Sequence, residues 1–92
     1  MSIVDKVKIS LRVTSPAYDD EIADLIEAGK RDLEISGVTA DEDDKLILRA
    51  VTTYVRANFG SPDDYDRLKA SYDEQKAQLK VATGYTNWGD DA

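Results

Sequence analysis

The residues of this sequence that could do chemistry are mainly carboxylates, and they are concentrated in two short clusters. These clusters are Asp19-Asp20-Glu21 and Asp41-Glu42-Asp43-Asp44. Grouped carboxylates can bind a divalent cation or share a proton in general acid–base catalysis. However, no calcium-loop spacing around a central glycine occurs, and each cluster lies at a predicted helix start, where acids complement the helix dipole. We therefore interpret both clusters as exposed first-turn acids, and we predict no metal site and no catalytic residue.

Other catalytic chemistry is poorly supported by the residue types present. The chain has no histidine and no cysteine, which excludes imidazole catalysis, thiol chemistry, disulfides and the usual zinc sites. Its serines have no histidine partner, and its five glycines do not form a phosphate-binding loop. We predict that the protein is not an enzyme and has no cofactor.

Composition restricts the classes of partner. The 92 residues are enough for one domain, with 41% hydrophobic and 34% charged residues, a balance typical of globular proteins. Twelve basic and 19 acidic residues give a net charge of −7, which disfavours tight binding to nucleic acid or to anionic membranes. No apolar run approaches the roughly 20 residues that cross a bilayer. We expect neither specific nucleic-acid binding nor membrane association.

The sequence predicts four helices, which would position the acidic and basic side chains. They extend from about Ser2 to Val13, Pro16 to Ser36, Thr39 to Phe59 and Ser61 to Ala82. Hydrophobic residues recur at helical spacing in each segment, and the third segment has the widest apolar surface, so it should be the most buried helix. The alternation from Val7 to Val13 also fits a strand, but helical spacing covers a longer stretch. The prediction is an all-α, small four-helix bundle-like domain over residues 1–84 with an extended, flexible C-terminal tail at 85–92.

Capping residues mark where the predicted helices begin and end. Ser15-Pro16 and Ser61-Pro62 each place an N-cap residue before a proline suited to the first helical turn. The segment Thr39-Ala40-Asp41-Glu42 has the pattern of a capping box, in which Thr39 bonds the amide of Glu42. Gly37 and Gly60 are natural helix ends.

The apolar stripes of the four segments predict the core. Their members recur mostly every three or four residues, with Gln75 in a gap of the fourth stripe, and face one side of each helix. They are Ile3, Val4, Val7 and Leu11; Tyr18, Ile22, Leu25, Ile26, Gly29 and Leu33; Ile47, Ala50, Val51, Tyr54, Val55 and Phe59, widened by Leu46 and Leu48; and Tyr65, Leu68, Tyr72, Leu79 and Ala82.

Charge is distributed unevenly along the chain. Residues 1–14 have three basic residues and one acid, a balance of +2, whereas residues 15–37 have two basic residues and seven acids, a balance of −5. Such opposite patches suit head-to-tail association between identical subunits, and they suit a contact within one chain equally well. We predict an acidic inter-subunit face and a basic inter-subunit face. The acidic face comprises Asp19, Asp20, Glu21 and Asp24, and the basic face comprises Lys6, Lys8 and Arg12.

The predicted tail contains aromatic residues but no helical periodicity. Trp88 and Tyr85 are residue types enriched at interfaces, although Trp88 could equally fold back onto the helices. We predict that Tyr85, Asn87 and Trp88 bind a partner.

The order of several segments carries a resemblance to a known family. These segments are Val7-Lys8-Ile9-Ser10-Leu11-Arg12, Asp20-Glu21-Ile22-Ala23-Asp24-Leu25-Ile26-Glu27-Ala28, Asp32-Leu33, Gly37-Val38, Ile47-Leu48-Arg49-Ala50-Val51, Tyr54-Val55-Arg56-Ala57-Asn58-Phe59-Gly60, Arg67-Leu68 and Ser71-Tyr72. Over roughly residues 3–86 the chain resembles the head–tail connector proteins, also called DNA-packaging or head-completion proteins, of tailed phages and prophages.

The resemblance implies a structural role in the virion. Members form a homo-oligomeric ring of about twelve subunits under the portal, at the capsid–tail junction. The ring extends the DNA channel after packaging and docks the next neck or tail-completion protein, and the subunits reside in the host cytoplasm during assembly. The segment Thr83 to Trp88 would be the portal-facing arm. The acidic face would either line the channel or meet the basic first segment of a neighbouring subunit. The alternative, from another functional class, is a small helical regulatory or antitoxin-like protein-binding module.

Overall fold

A computed structural model describes residues 2–81, which form four α-helices and one 3₁₀ turn. The helices are α1 (Ile3–Leu11), α2 (Asp19–Ile35), α3 (Lys45–Asn58) and α4 (Tyr65–Val81), and the 3₁₀ turn is Pro16–Tyr18. The all-α prediction is confirmed, and no β-strand occurs between residues 2 and 81. No helix within this range is long and apolar enough to span a membrane. The predicted tail lies outside the described residues.

Local hydrogen bonds explain the ends of the first two helices. The Ser2 hydroxyl accepts from the amide of Asp5 at 3.2 Å and caps α1. Ser15 caps as predicted, accepting from the amide of Ala17, but it starts the 3₁₀ turn that precedes α2. At the other end of α2, Gly37 has φ 91°, which favours glycine, and the next amide, of Val38, bonds back to Leu33.

The predicted start of the third helix is wrong by several residues. The helix begins at Lys45 rather than near Thr39, because the Asp44 carboxylate accepts from the amides of Leu46 and Ile47 at 2.8 and 3.4 Å. Glu42 bonds the ammonium of Lys30 on α2 at 2.5 Å. A tertiary contact therefore competes with the helix for this stretch of chain.

The predicted start of the fourth helix is also too early. It begins at Tyr65, after the Ser61-Pro62 pair, and the amide of Tyr65 bonds the carbonyl of Pro62 at 3.3 Å. Gly60 has φ 69°, so the chain turns sharply after α3 before it re-enters a helix.

The core is organised around α3, which packs against α1, α2 and α4. The buried apolar side chains come from all four helices and the α2–α3 loop. They are Val7, Ile22, Ile26, Leu33, Val38, Ile47, Ala50, Val51, Val55, Ala57, Leu68, Tyr72 and Leu79. The prediction that the third helix has the most buried surface is confirmed, with the exception of Leu46, which is 52% exposed. Leu46 lies in the first turn of α3, where it lines a shallow pocket with Gln78 and Leu79 of α4.

Helices α2 and α3 pack antiparallel, and they approach closely where Gly29 meets Tyr54. Tyr18, at the start of α2, meets the ring of Phe59, just after α3, edge to face at 5.6 Å. Further along, Gly29 of α2 lies against Tyr54 of α3, where a Cβ atom would be 3.0 Å from the ring Cδ1. Gly29 therefore belongs to the buried stripe because the tyrosine ring occupies the space of a side chain.

Replacing Asp44 with alanine removes the cap of the central helix, so we expect a loss of about 1 kcal/mol in the free energy of unfolding. Urea denaturation followed by circular dichroism measures this change. The matched control is Asp43→Ala, which removes the neighbouring exposed acid from the same turn. Equal stabilities of the two variants would show that Asp44 does not cap α3.

Candidate functional site

The predicted basic and acidic faces meet within the chain at one ion pair. The Lys8 ammonium of α1 lies 2.6 Å from the Asp19 carboxylate at the start of α2. The Lys8 side chain is only 14% exposed. The sequence left intrachain and inter-subunit contacts equally open, and for these two residues the structure shows an intrachain contact that joins α1 to α2.

The other residues of the two predicted faces are exposed. Because Asp19 pairs with Lys8, the acidic face is reduced to Asp20, Glu21 and Asp24. These three residues form one exposed surface of α2 and make no ion pair with any residue between 2 and 81. Lys6 and Arg12 are also exposed and unpaired over the same range. Their roles in assembly remain predictions.

The second acidic cluster is used locally. Asp41 accepts from the amide of Asp43 at 2.9 Å, and Asp44 caps α3. The hydrogen bond from Lys30 to Glu42 raises the pKa of the lysine against the opposing effect of burial. Within residues 2–81 no group of three or more acidic residues is arranged to hold a metal ion.

A half-buried polar cluster, the Asp32 cluster, links α2 to α4. The Tyr72 hydroxyl donates to Asp32 Oδ2 at 2.5 Å, and the Lys76 ammonium donates to the same oxygen at 3.1 Å. The ammonium also lies 5.2 Å from the centre of the Tyr72 ring, within the range of a cation–π contact. Tyr72 packs edge to face against Tyr54 of α3, with ring centres 5.3 Å apart, so the cluster spans three helices.

The protonation states in this cluster favour a structural role. Burial raises the pKa of Asp32, but hydrogen bonds from Tyr72 and Lys76 outweigh it, and the net pKa is below the ordinary value. Burial and the Asp32 contact raise the pKa of Tyr72, so its phenol stays protonated and keeps donating. A carboxylate that accepts two such bonds is a weak base. A cavity of about 150 Å³ adjoins the cluster and is lined in part by Tyr65 and Asn58.

Sequence reasoning missed both this cluster and a basic groove. Asp32 and Tyr72 are 40 positions apart, and no local pattern reports such a contact. The groove lies between α1, α3 and α4 and has a volume of about 700 Å³. Its basic side chains are Lys6, Lys45, Arg49, Arg56 and Arg67. The sequence contained one indication of the groove, since Lys45, Arg49 and Arg56 recur at helical spacing on one side of α3.

Replacing Tyr72 with phenylalanine removes a buried donor to Asp32. We expect the free energy of unfolding at neutral pH to fall by about 1 kcal/mol. This value is modest because the Asp32 side chain is 37% exposed. Since the folded-state pKa of Asp32 is depressed, the stabilisation is present above its unfolded-state pKa and declines as pH falls through the folded-state value. The difference between wild type and variant should therefore shrink in acid.

Urea denaturation at pH 7 and at about pH 3 tests both statements. The control is Tyr65→Phe, which alters a tyrosine of the same cavity whose hydroxyl makes no hydrogen bond to residues 2–81. A stability difference independent of pH would contradict the role assigned to Asp32.

Comparison with known proteins places the whole fold in one family. The profile described as "Phage connector protein" matches residues 3–86, which include all four helices. No curated protein and no solved structure matches the chain significantly. The connector family is a structural one, and the match covers most of the 92 residues. The chain therefore belongs to the phage connector protein family.

Proposed function

We propose that this protein is a subunit of the head–tail connector ring of a tailed phage or prophage. In this role it joins the portal to the next neck or tail-completion protein and extends the DNA channel after packaging. The observation that carries the proposal is the connector-family match over residues 3–86. The subunit would be found in the virion at the capsid–tail junction, and in the host cytoplasm during assembly.

The shape and charge of the helices support this role. The helices α2 and α4 have 17 residues each, so each is about 25 Å long and could form part of a ring wall. A channel through which DNA passes should not bind the DNA tightly. A chain with net charge −7 is poorly suited to tight binding of phosphates. The acidic face is exposed and available to line such a channel or to meet a neighbouring subunit.

The ring would contain about twelve identical copies joined by a heterologous contact, in which two different surfaces of the subunit meet. Its partners would be the portal on one side and a neck or tail-completion protein on the other. Tyr85, Asn87 and Trp88, which lie outside the described residues, would form the portal-facing contact. The role requires no catalysis and no cofactor. The regulatory or antitoxin-like alternative loses support because the family match concerns a connector.

Reversing the charge of the acidic face should impair the connector. We expect Asp20→Lys combined with Glu21→Lys to lower the yield of infectious particles about tenfold or more, because like charges would oppose a neighbouring basic surface. Plaque counts and negative-stain electron microscopy of a phage carrying the altered gene measure this. The control, Asp66→Lys with Glu74→Lys, changes two exposed acids of α4 by the same charge.

Deleting the gene provides the direct test of the proposed function. A connector should be required for tail attachment, so the deletion should leave capsids without tails, and the wild-type gene should restore infectious particles. Normal tailed particles from the deletion strain would refute the proposal. Unchanged yields from the acidic-face variant alone would remove only the assigned role of that face.

Replacing Trp88 with alanine should weaken binding to the portal, because a large aromatic side chain commonly anchors an interface. We expect at least about a tenfold higher dissociation constant, measured by biolayer interferometry against the purified portal. The far-ultraviolet circular dichroism of the variant should match that of the wild type. Asp91→Asn, in the same terminal segment, is the control, and equal affinities would exclude Trp88 as an anchor.

A further inference from the structure

The basic groove concentrates positive charge on a chain that is acidic overall. Its lining includes five basic and two acidic side chains, a local balance of +3, against −7 for the chain. Lys45, Arg49 and Arg56 line it along α3, while Lys6 and Arg67 contribute from α1 and α4. The groove therefore presents a surface whose charge is opposite to that of most of the molecule.

Most of this positive charge has no partner within residues 2–81. Arg67 pairs with Asp64, and of the two lining acids, Glu42 pairs with Lys30. Lys6, Lys45, Arg49 and Arg56 are exposed and make no ion pair over the described range, although acids are abundant in the chain. Unpaired like charges along one groove repel each other, so an acidic occupant would be favoured there.

The size and lining of the groove suit a helix carrying acids. From Lys45 to Arg56 the basic row of α3 extends about 16 Å, or three turns. Between the charges the lining contains Leu48, Thr52 and Ser71, whose small or apolar side chains leave room for close approach. The acidic face of α2 has the complementary properties, since its three carboxylates are exposed, unpaired and held on a regular helix.

The groove and the acidic face are separate surfaces of one chain. No residue of α2 lines the groove, so the acidic face of a molecule does not occupy the groove of the same molecule. Two different complementary surfaces on identical subunits produce a heterologous contact. Such contacts form a closed ring when the rotation between neighbouring subunits returns to the first subunit.

From these observations we infer that the basic groove of one subunit binds the acidic face of the next copy. Arg49 and Arg56 provide the central contacts, and Asp20, Glu21 and Asp24 provide the carboxylates. This inference rests on the proposed ring function and names the inter-subunit surface for it. In this inference most of the basic inter-subunit surface lies on α3 rather than on α1. Lys8 pairs with Asp19 within the chain, and Lys6 lines the groove.

Cross-linking between single-cysteine variants tests the contact, because the natural chain contains no cysteine. Ala28→Cys places a thiol one helical turn beyond Asp24, and Ser10→Cys places one on the groove wall. An equimolar mixture treated with a short bismaleimide should give the mixed dimer, identified by mass spectrometry. Ala28→Cys with Ser61→Cys is the control pair, because Ser61 is exposed but does not line the groove.

Charge reversal in the cysteine variants makes the test specific. We expect Arg49→Glu with Arg56→Glu in the Ser10→Cys chain to lower the mixed-dimer yield about tenfold. Adding Asp20→Lys and Glu21→Lys to the Ala28→Cys partner should restore it, since each surface then meets the opposite charge. Arg31→Glu with Lys80→Glu, an exposed pair outside the groove, is the charge-matched control and should leave the yield unchanged.

Three results would overturn the inference. They are no mixed dimer at any protein concentration, a yield insensitive to reversal at Arg49 and Arg56, and failure of the complementary reversal to restore the yield. Groove-dependent binding of a fluorescent DNA duplex without the mixed dimer would assign the groove to nucleic acid instead. Rings formed with the portal despite a negative cross-linking result would preserve the connector function and exclude only this surface.

Discussion

The burial of α3 is the constraint on which the rest of this structure depends. A chain of 92 residues has little apolar surface to bury, and most of it is gathered around one helix that packs against α1, α2 and α4. Ile47, Val51 and Val55 point into this core, so the opposite side of α3 is left to carry the basic residues of the groove. The same helix that stabilises the fold therefore also displays a charged surface, because a helix presents distinct faces.

Charges in this protein serve two separate purposes. Some are paired inside the chain, where Lys8 with Asp19 joins α1 to α2 and Lys30 with Glu42 holds the loop before α3. Others remain exposed and unpaired within residues 2–81, and these divide into an acidic surface on α2 and a basic surface centred on α3. Surface ion pairs contribute little stability individually, whereas unpaired patches of opposite sign can select an orientation between molecules. Association of copies is thus compatible with a domain whose own fold is complete.

The Asp32 cluster adds a directional contact at the edge of a mainly apolar core. It connects α2 with α4, and both donors reach the same carboxylate oxygen. Hydrophobic packing alone permits small shifts of one helix against another, while a partly buried charged hydrogen bond requires a defined geometry. Tyr72 contributes both effects, since its ring packs on Tyr54 and its hydroxyl binds Asp32. The angle between these helices would influence the shape of any assembly built from them.

The sequence by itself determined the helical class, the number of helices, most of the buried stripe and the resemblance to connectors. These features follow from local periodicity and capping, as at Ser15 and Gly37, and from the order of segments along the chain. The helix start near Thr39 was misplaced because Asp44 caps α3 and Glu42 pairs with Lys30. The start near Ser61 was placed too early because α4 begins only at Tyr65, after a turn. Only the tertiary structure decided that Lys8 pairs internally and that distant basic residues share one groove. Both outcomes depend on how the helices pack. Packing brings together residues that are far apart in the sequence, and no local pattern reports such contacts.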